Sequence, residues 1–273
     1  MTIPIRVLAV EDDHDIADML DMFFRDQGCE FFHASDGQDA LALVPRVMPH
    51  VILMDLRLPD IDGYHLTIHF RSQPRTAHIP ILFVSEWGSR EKRLEALELG
   101  AADYIVKPFD LHELMLRTQN GVARAARTYL IDERTALPGA FSARRWIDAA
   151  RTDPHQALLE VALLHTVPYY QLYGEAAVSE VQQKTVRLII DGVNREADPG
   201  DFIGALDEDR YLILTASAYV QAVVNWLTAA FNALLSRWYS PIDFQRGALK
   251  INGETFPLMC LSCRITPGER RRE

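Results

Sequence analysis

Five short apolar runs, each followed by a helical pattern, fill the first 125 residues and constrain the fold more than any other feature. The runs are IRVLAV (5–10), Cys29–Phe32, HVILMD (50–55), residues 80–84 with their flanks (IPILFV) and ADYIV (102–106). Between them the apolar spacing becomes helical. Ile16, Met19, Leu20, Met22, Phe23 and Phe24 mark a helix over 14–27 closed by Gly28; others cover Asp36–Leu43, 63–72 and Ser89–Leu99, and a fifth starts near Asp110. Buried strands alternating with helices predict an α/β unit, a doubly wound five-stranded parallel sheet covered on both faces. In such a sheet the functional groups lie beyond the carboxyl ends of the strands.

Those ends carry a coherent set. The first run ends in Glu11 and Asp12, the third in Asp55, the fourth in Ser85, and the fifth in Lys107-Pro108. Three carboxylates meeting at one edge repel one another unless a cation sits among them. A hard divalent ion such as Mg²⁺ suits an all-oxygen donor set. A lysine supplies positive charge for a phosphoryl oxygen, a hydroxyl donates a hydrogen bond, and Asp55 becomes a nucleophile able to form an acyl phosphate.

Glu11-Asp12, Asp55 in ILMDLRLPDIDG, Ser85 and Lys107-Pro108-Phe109 resemble the receiver domain of two-component response regulators, with gaps of 43, 30 and 22 residues between Asp12, Asp55, Ser85 and Lys107. The resemblance covers residue 4 to about 125. It implies a flavodoxin-like fold, Mg²⁺ held by Glu11, Asp12 and Asp55, and phosphorylation of Asp55 by a sensor histidine kinase or phosphotransfer protein. Ser85 is then the hydroxyl that swings towards the phosphoryl group, and Tyr104 the switch aromatic. Two departures stand out: Glu86, followed by Trp87, takes the place of a small residue and adds like charge, and Arg57 offsets it. Residues 1–125 are expected to be the receiver. DLHELMLRTQNGVARAARTYLI (110–131) reads as its last helix running on, which makes 126–137 a helical connector. Residues 138–273 form the output domain.

That second half orders as helix (140–150), strand (158–164), long helix (175–196), strands 201–206 and 210–215, helix (219–237), and strands 247–251 and 254–265. Asn252-Gly253 is a two-residue hairpin signal. The pattern is α+β with a mostly antiparallel sheet. It resembles a degenerate GGDEF (diguanylate cyclase-like) domain. Asp132-Glu133-Arg134-Thr135-Ala136-Leu137-Pro138 is similar to the family's opening D-x-L-T-G-L-P, and Tyr173-Gly174 to its Y-G. Asp207-Glu208-Asp209-Arg210-Tyr211 stands in the signature hairpin, and CLSCRIT in the late S-I-G strand. The resemblance also implies that catalysis is lost. Asp207 and Glu208 replace the two glycines that admit phosphates, Arg210 replaces the acid after Asp209, and ALLHTV (162–167) has no second metal carboxylate. Arg195-Glu-Ala-Asp198, near Asp201, is only a displaced echo of the inhibitory R-x-x-D.

Composition narrows the function. A net charge of −10 without a basic stripe disfavours nucleic acid; the run Arg270-Arg271-Arg272 reads as a solvated tail. No run reaches the roughly 18–20 apolar residues of a spanning helix, and the start lacks a signal-peptide pattern. Three cysteines argue against a disulfide framework and for a reducing cytoplasm. Cys260 and Cys263 lie in a strand, where positions three apart face opposite sides. The expectation is a cytoplasmic, homodimeric response regulator without enzymatic output, acting on a downstream protein partner that the sequence leaves unknown. The alternative is a non-catalytic receptor for cyclic di-GMP or GTP; an active cyclase comes last.

Overall fold

The computed structural model describes residues 4–128, 131–132, 134–151 and 153–268. The chain divides into two compact units, 2–137 and 138–273.

In the first unit β1 (Arg6–Val10), β2 (Glu30–Ala34), β3 (Val51–Met54), β4 (Ile81–Ser85) and β5 (Asp103–Val106) form one sheet, in the order β2-β1-β3-β4-β5. All four pairings are parallel. The intervening helices are α1 (His14–Asp26), α2 (Gly37–Val47), α3 (Gly63–Ser72), α4 (Arg90–Glu98) and α5 (Leu111–Arg127). The side-chain alternation of the strands builds two cores. Val7, Ala9, Leu53, Leu82 and Ile105 pack with Leu20 and Phe24 of α1 and Leu114 of α5. Leu8, Val10, Ile52, Met54 and Phe83 pack with Val44 of α2, Phe70 of α3 and Ala96 of α4. Burial on both faces is why these strands read as continuous apolar runs.

Helix starts follow local capping. Asp13, Asp36, Asp62, Ser89 and Asp110 each accept backbone N–H bonds from the first turn behind them. Two bounds differ from expectation. The second strand lies at Glu30–Ala34, and α2 continues past Leu43 to Val47 with Pro45 in its last turn. Among the described residues the helical connector expected over 126–137 is not found: α5 stops at Arg127. Asp132 Oδ1 accepts from Thr135 N (3.0 Å) and Oγ1 (2.8 Å), and Ala136 takes a φ of 59°, so the backbone turns instead of winding. The turn is fastened to the same unit by Arg6 Nη2, which donates to Thr135 O (2.6 Å), and by a His78 Nε2–Ala136 O bond (3.1 Å).

The second unit contains α6 (Ala140–Arg151), β6 (Gln156–Leu164), α7 (Thr166–Tyr173), α8 (Glu175–Glu196), β7 (Phe202–Ala205), β8 (Arg210–Ala216) and α9 (Val220–Trp238). It continues with α10 (Pro241–Arg246), β9 (Ala248–Ile251), β10 (Glu254–Pro257) and β11 (Cys260–Pro267). Its main sheet, β11-β6-β8-β7, is antiparallel throughout. β9 and β10 make a separate hairpin, whose turn residues Asn252 and Gly253 both have positive φ (49° and 89°). The single strand expected over 254–265 is therefore two strands in two sheets. Pro257 has no N–H, and Met259 N donates to Tyr239 Oη (2.7 Å), so the ladder is broken between them. Two short helices, α7 and α10, were not anticipated. α10 had a readable start, since Ser240 Oγ accepts from Asp243 N (3.2 Å) with Pro241 at the first helical position. Among the described residues no helix is long and apolar enough to cross a membrane.

Candidate functional site

Parallel pairing brings the carboxyl ends of β1, β3, β4 and β5 to one edge. Asp55 N donates to Val10 O and Lys107 N to Ser85 O, both at 2.9 Å, so the residues leaving these strands are held side by side. Glu11, Asp12, Asp55, Ser85 and Lys107 line one cavity of about 240 Å³, together with Asp13, Ile16, Arg57 and Glu86. Glu11, Asp55 and Ser85 are buried, whereas Asp12 is exposed at the mouth.

Lys107 Nζ ties the buried pair together. It donates to Glu11 Oε1 (2.9 Å) and Oε2 (2.7 Å) and to Asp55 Oδ2 (2.5 Å). Arg57 N donates to Asp55 Oδ1 (3.1 Å), so both oxygens of Asp55 are oriented. Burial pushes the Glu11 carboxyl up to about 7, against the opposing pull of Lys107. Burial also works against the charge of Lys107, but its hydrogen bonds to Asp55 and Glu11 outweigh that and hold it above its ordinary value. Glu11, Asp12 and Asp55 each offer one oxygen, and the three lie within 4.8 Å of one another. This is the donor chemistry and spacing of a hard divalent cation.

Tyr104 stands outside the cavity. Its ring is buried against Phe83 (centroids 6.2 Å apart), and its hydroxyl donates to Trp87 O in the loop between β4 and α4. That loop begins at Ser85, whose Oγ accepts from Trp87 N (3.4 Å). Ser85 and Tyr104, the two residues read from the sequence as a switch pair, thus both bond the backbone of Trp87.

Three supporting residues escaped the sequence reading. Asp13 caps α1 at the cavity rim. Gly63 leaves no room for a side chain, since a Cβ would stand 2.3 Å from Asp55 O. Asp60 accepts from Gly37 N (2.7 Å) and Gln38 N (2.9 Å), which locks the loop after Asp55 to the start of α2 and lowers its own pKa. The glycine ending DIDG was a local signal; the Asp60 clamp spans 23 residues and had none.

In the second unit Asp207, Glu208 and Asp209 lie in the β7–β8 turn, and Arg210 and Tyr211 open β8. Asp209 Oδ2 accepts from Thr166 Oγ1 (2.7 Å) and Oδ1 from Gln182 Nε2 (2.9 Å). Arg210 Nε donates to Asp207 Oδ2 (2.6 Å), exposed Glu208 lends its carbonyl to the hydroxyl of buried Tyr211, and Arg210 Nη1 lies 4.0 Å from Glu160. Among the described residues Glu11, Asp12 and Asp55 are the one group of three acids or other ligands spaced to hold a metal. Arg195 pairs with Glu196 (3.2 Å), and Asp198 and Asp201 bond within their own turn. Glu133 and Arg270–Arg272 lie outside the described residues.

An acidic pocket with one lysine, at the carboxyl edge of a sheet ordered β2-β1-β3-β4-β5, defines a doubly wound, flavodoxin-like α/β domain built around a central carboxylate. The sequence model of the response regulator receiver domain matches residues 7–119. The first unit is accordingly the receiver domain of a two-component response regulator, the class controlled by phosphorylation. Similar proteins include the DNA-binding dual master transcriptional regulator RpaA of Synechocystis, 33% identical over 45% of this chain and 51% of RpaA. The regulatory protein AtoC of Escherichia coli is 39% identical over 45% of this chain and 26% of AtoC. The solved receiver domain of the Francisella response regulator 1452 is 33% identical, with 44% of this chain and 97% of that one covered at a TM-score of 0.42. The chain spans about half the length of RpaA and a quarter of AtoC.

Proposed function

We propose that Asp55 accepts a phosphoryl group from a histidine kinase or phosphotransfer protein and that the second unit is a degenerate, non-catalytic GGDEF-like output domain. The observation carrying the first part is the meeting of Glu11, Asp12, Asp55 and Lys107 in one cavity. A carboxylate oxygen of Asp55 attacks the phosphorus of a phosphohistidine. The phosphorus–nitrogen bond breaks, and the imidazole keeps the electron pair and takes up a proton. Lys107, already on Asp55, follows the charge that gathers on a phosphoryl oxygen, and Ser85 offers a hydroxyl donor at the same edge. The Arg57 N–H holds the attacking carboxylate in orientation. The donor set of Glu11, Asp12 and Asp55 fits Mg²⁺, which when bound neutralises the carboxylates and polarises the phosphoryl oxygen. Incubation with acetyl phosphate and Mg²⁺ adds one phosphoryl group by intact-mass spectrometry. Labelling that persists in Asp55→Asn refutes the assignment.

The non-catalytic reading of the second unit is supported by the state of Asp209, whose two oxygens are taken by Thr166 and Gln182. Two-metal phosphoryl transfer needs several converging carboxylates, and neither Asp207, turned to Arg210, nor Glu160, beside the same arginine, joins Asp209. The output is then protein contact or dimerisation. RpaA is a DNA-binding protein by name, but its similarity covers only 45% of this chain, and the acidic balance of −10 argues for a protein partner here. Wild-type protein given GTP with Mg²⁺ or Mn²⁺ yields no cyclic di-GMP by chromatography. Reverting Asp207–Tyr211 to Gly-Gly-Asp-Glu-Phe does not restore it. Product from the wild type ends the non-enzymatic reading.

A further inference from the structure

The main sheet of the second unit ends differently at its two edges. At β7, Ala205 N donates to Pro138 O (2.8 Å), so that edge meets a further segment of chain. Among the described residues β11 pairs with β6 on one side and with no strand on the other. Its register with β6 runs unbroken from Cys260 to Pro267, without a bulge. It carries one charge, Arg264, and its only proline is its last residue. A regular, nearly uncharged edge of this kind lacks the devices that ordinarily stop a sheet from adding another strand.

Backbone groups alternate between the two sides of a strand. Gly268 N donates to Gln156 O (3.0 Å), and Leu163 N donates the other way, to Asp209 O beside β8 (2.8 Å). With the register of β6 and β11, this turns the backbone of Ser262, Arg264 and Thr266 towards β6 and that of Leu261, Cys263 and Ile265 outward. The side chains of the outward residues share the face on which Leu261 packs with Leu163 and Phe231, and Ile265 is 39% exposed. Both ends of the outward row are closed. Pro267 has no N–H, and Met259 N is already given to Tyr239 Oη (2.7 Å).

The row is complementary to itself. Antiparallel self-pairing about a two-fold axis has two central registers in which outward groups meet outward groups, one centred on Cys263 and one on Arg264. Centring on Arg264 sets that guanidinium opposite its own copy, which is unfavourable. Centring on Cys263 sets Leu261 opposite the Ile265 of the second copy and Arg264 opposite its Ser262, and each outward pair exchanges two N–H···O bonds. A strand of other sequence gains the backbone bonds without this match of side chains. We propose that the outer edge of β11 is a self-association site, on which two copies of this chain pair β11 antiparallel with Cys263 on the two-fold axis and join their main sheets into one. The contact is small, so the pairing is weak and depends on concentration. The inference goes beyond the assignments of Asp55 and of a non-catalytic output, and depends on neither.

The test is light scattering on the full chain, without Mg²⁺ or a phosphoryl donor, from low-micromolar to near-millimolar concentration. The average mass should climb from one chain towards two. Ile265→Pro removes an outward N–H and leaves the bonds to β6 in place, which circular dichroism checks; it should weaken association roughly ten-fold. Ser262→Glu sets a carboxylate opposite the Arg264 of the second copy and should tighten association roughly five-fold at low salt, a gain that damage to the fold cannot produce. Ser262→Arg sets like charges face to face and should loosen it. A mass that stays at one chain throughout overturns the proposal. So does association that either Ile265→Pro or Ser262→Glu leaves unchanged, which places the contact on another surface. Asp55 labelling is a separate measurement, so failure here leaves that assignment standing.

Discussion

Glu11 carries the clearest electrostatic cost in the receiver. Burial lifts its carboxyl to about 7, so near neutrality a fraction holds a proton that a divalent cation must displace. A proton bound below pH 7 in the metal-free state competes with the ion, so Mg²⁺ affinity falls as pH falls. Calorimetric titrations should show binding roughly three- to ten-fold weaker at pH 6 than at pH 8, with proton release growing towards the acid end. Lys107 is the counterpart. Lys107→Met leaves Glu11 and Asp55 facing each other without their cation, which should destabilise the receiver by roughly 3 kcal/mol in metal-free buffer. Because Glu11 can relieve the repulsion by taking a proton, the loss grows as pH rises from 5 to 8. Thermal melts over that range, repeated with Mg²⁺ to restore part of the loss, check both signs.

At the scale of elements, the loop from Asp55 to α3 is what presents the phosphoacceptor. Gly63→Ala places a methyl against the Asp55 carbonyl at a separation no packing tolerates, so the start of α3 must shift. An overpacking cost of roughly 3 kcal/mol, together with slower labelling of Asp55, is expected from urea denaturation and acetyl phosphate kinetics. The face formed by α4 and β5 is charged, with a Lys92–Glu95 pair on α4 and Asp103 of β5 paired to Arg117 of α5. It also exposes Leu94, Leu97 and Val106, which an acidic-basic count does not reveal. Apolar residues ringed by mixed charge suit a two-fold pairing. We expect beryllofluoride with Mg²⁺ to shift the mass by light scattering towards the dimer, and Leu97→Glu to weaken that shift. A mass that does not move in the wild type counts against this face.

Over the whole molecule, the chain divides into two compact units between 137 and 138. A ligand that binds only one folded unit stabilises that unit. Mg²⁺ with beryllofluoride should therefore raise the unfolding transition of the receiver and leave that of residues 138–273 in place. Scanning calorimetry on the full chain, compared with Asp55→Asn, reads this directly. A second transition that follows the first would show the two units unfolding together.

The receiver was legible because its information is local. Short apolar runs, helical apolar spacing between them and acids at strand ends all act within a few positions, and parallel pairing then puts the strand ends at one edge. Glu11, Asp12, Asp55, Ser85 and Lys107 could be named from that rule alone. What remained hidden depends on partners far along the chain. Asp60 reaches back to α2, and Tyr239 takes the Met259 N–H and so divides one apolar run between two sheets. Arg6 binds Thr135 across 129 residues and holds a turn where a helix was expected. Periodicity reports which side of an element is buried. It carries no record of which distant group answers a given N–H or carbonyl, and those pairings are settled only when the elements pack.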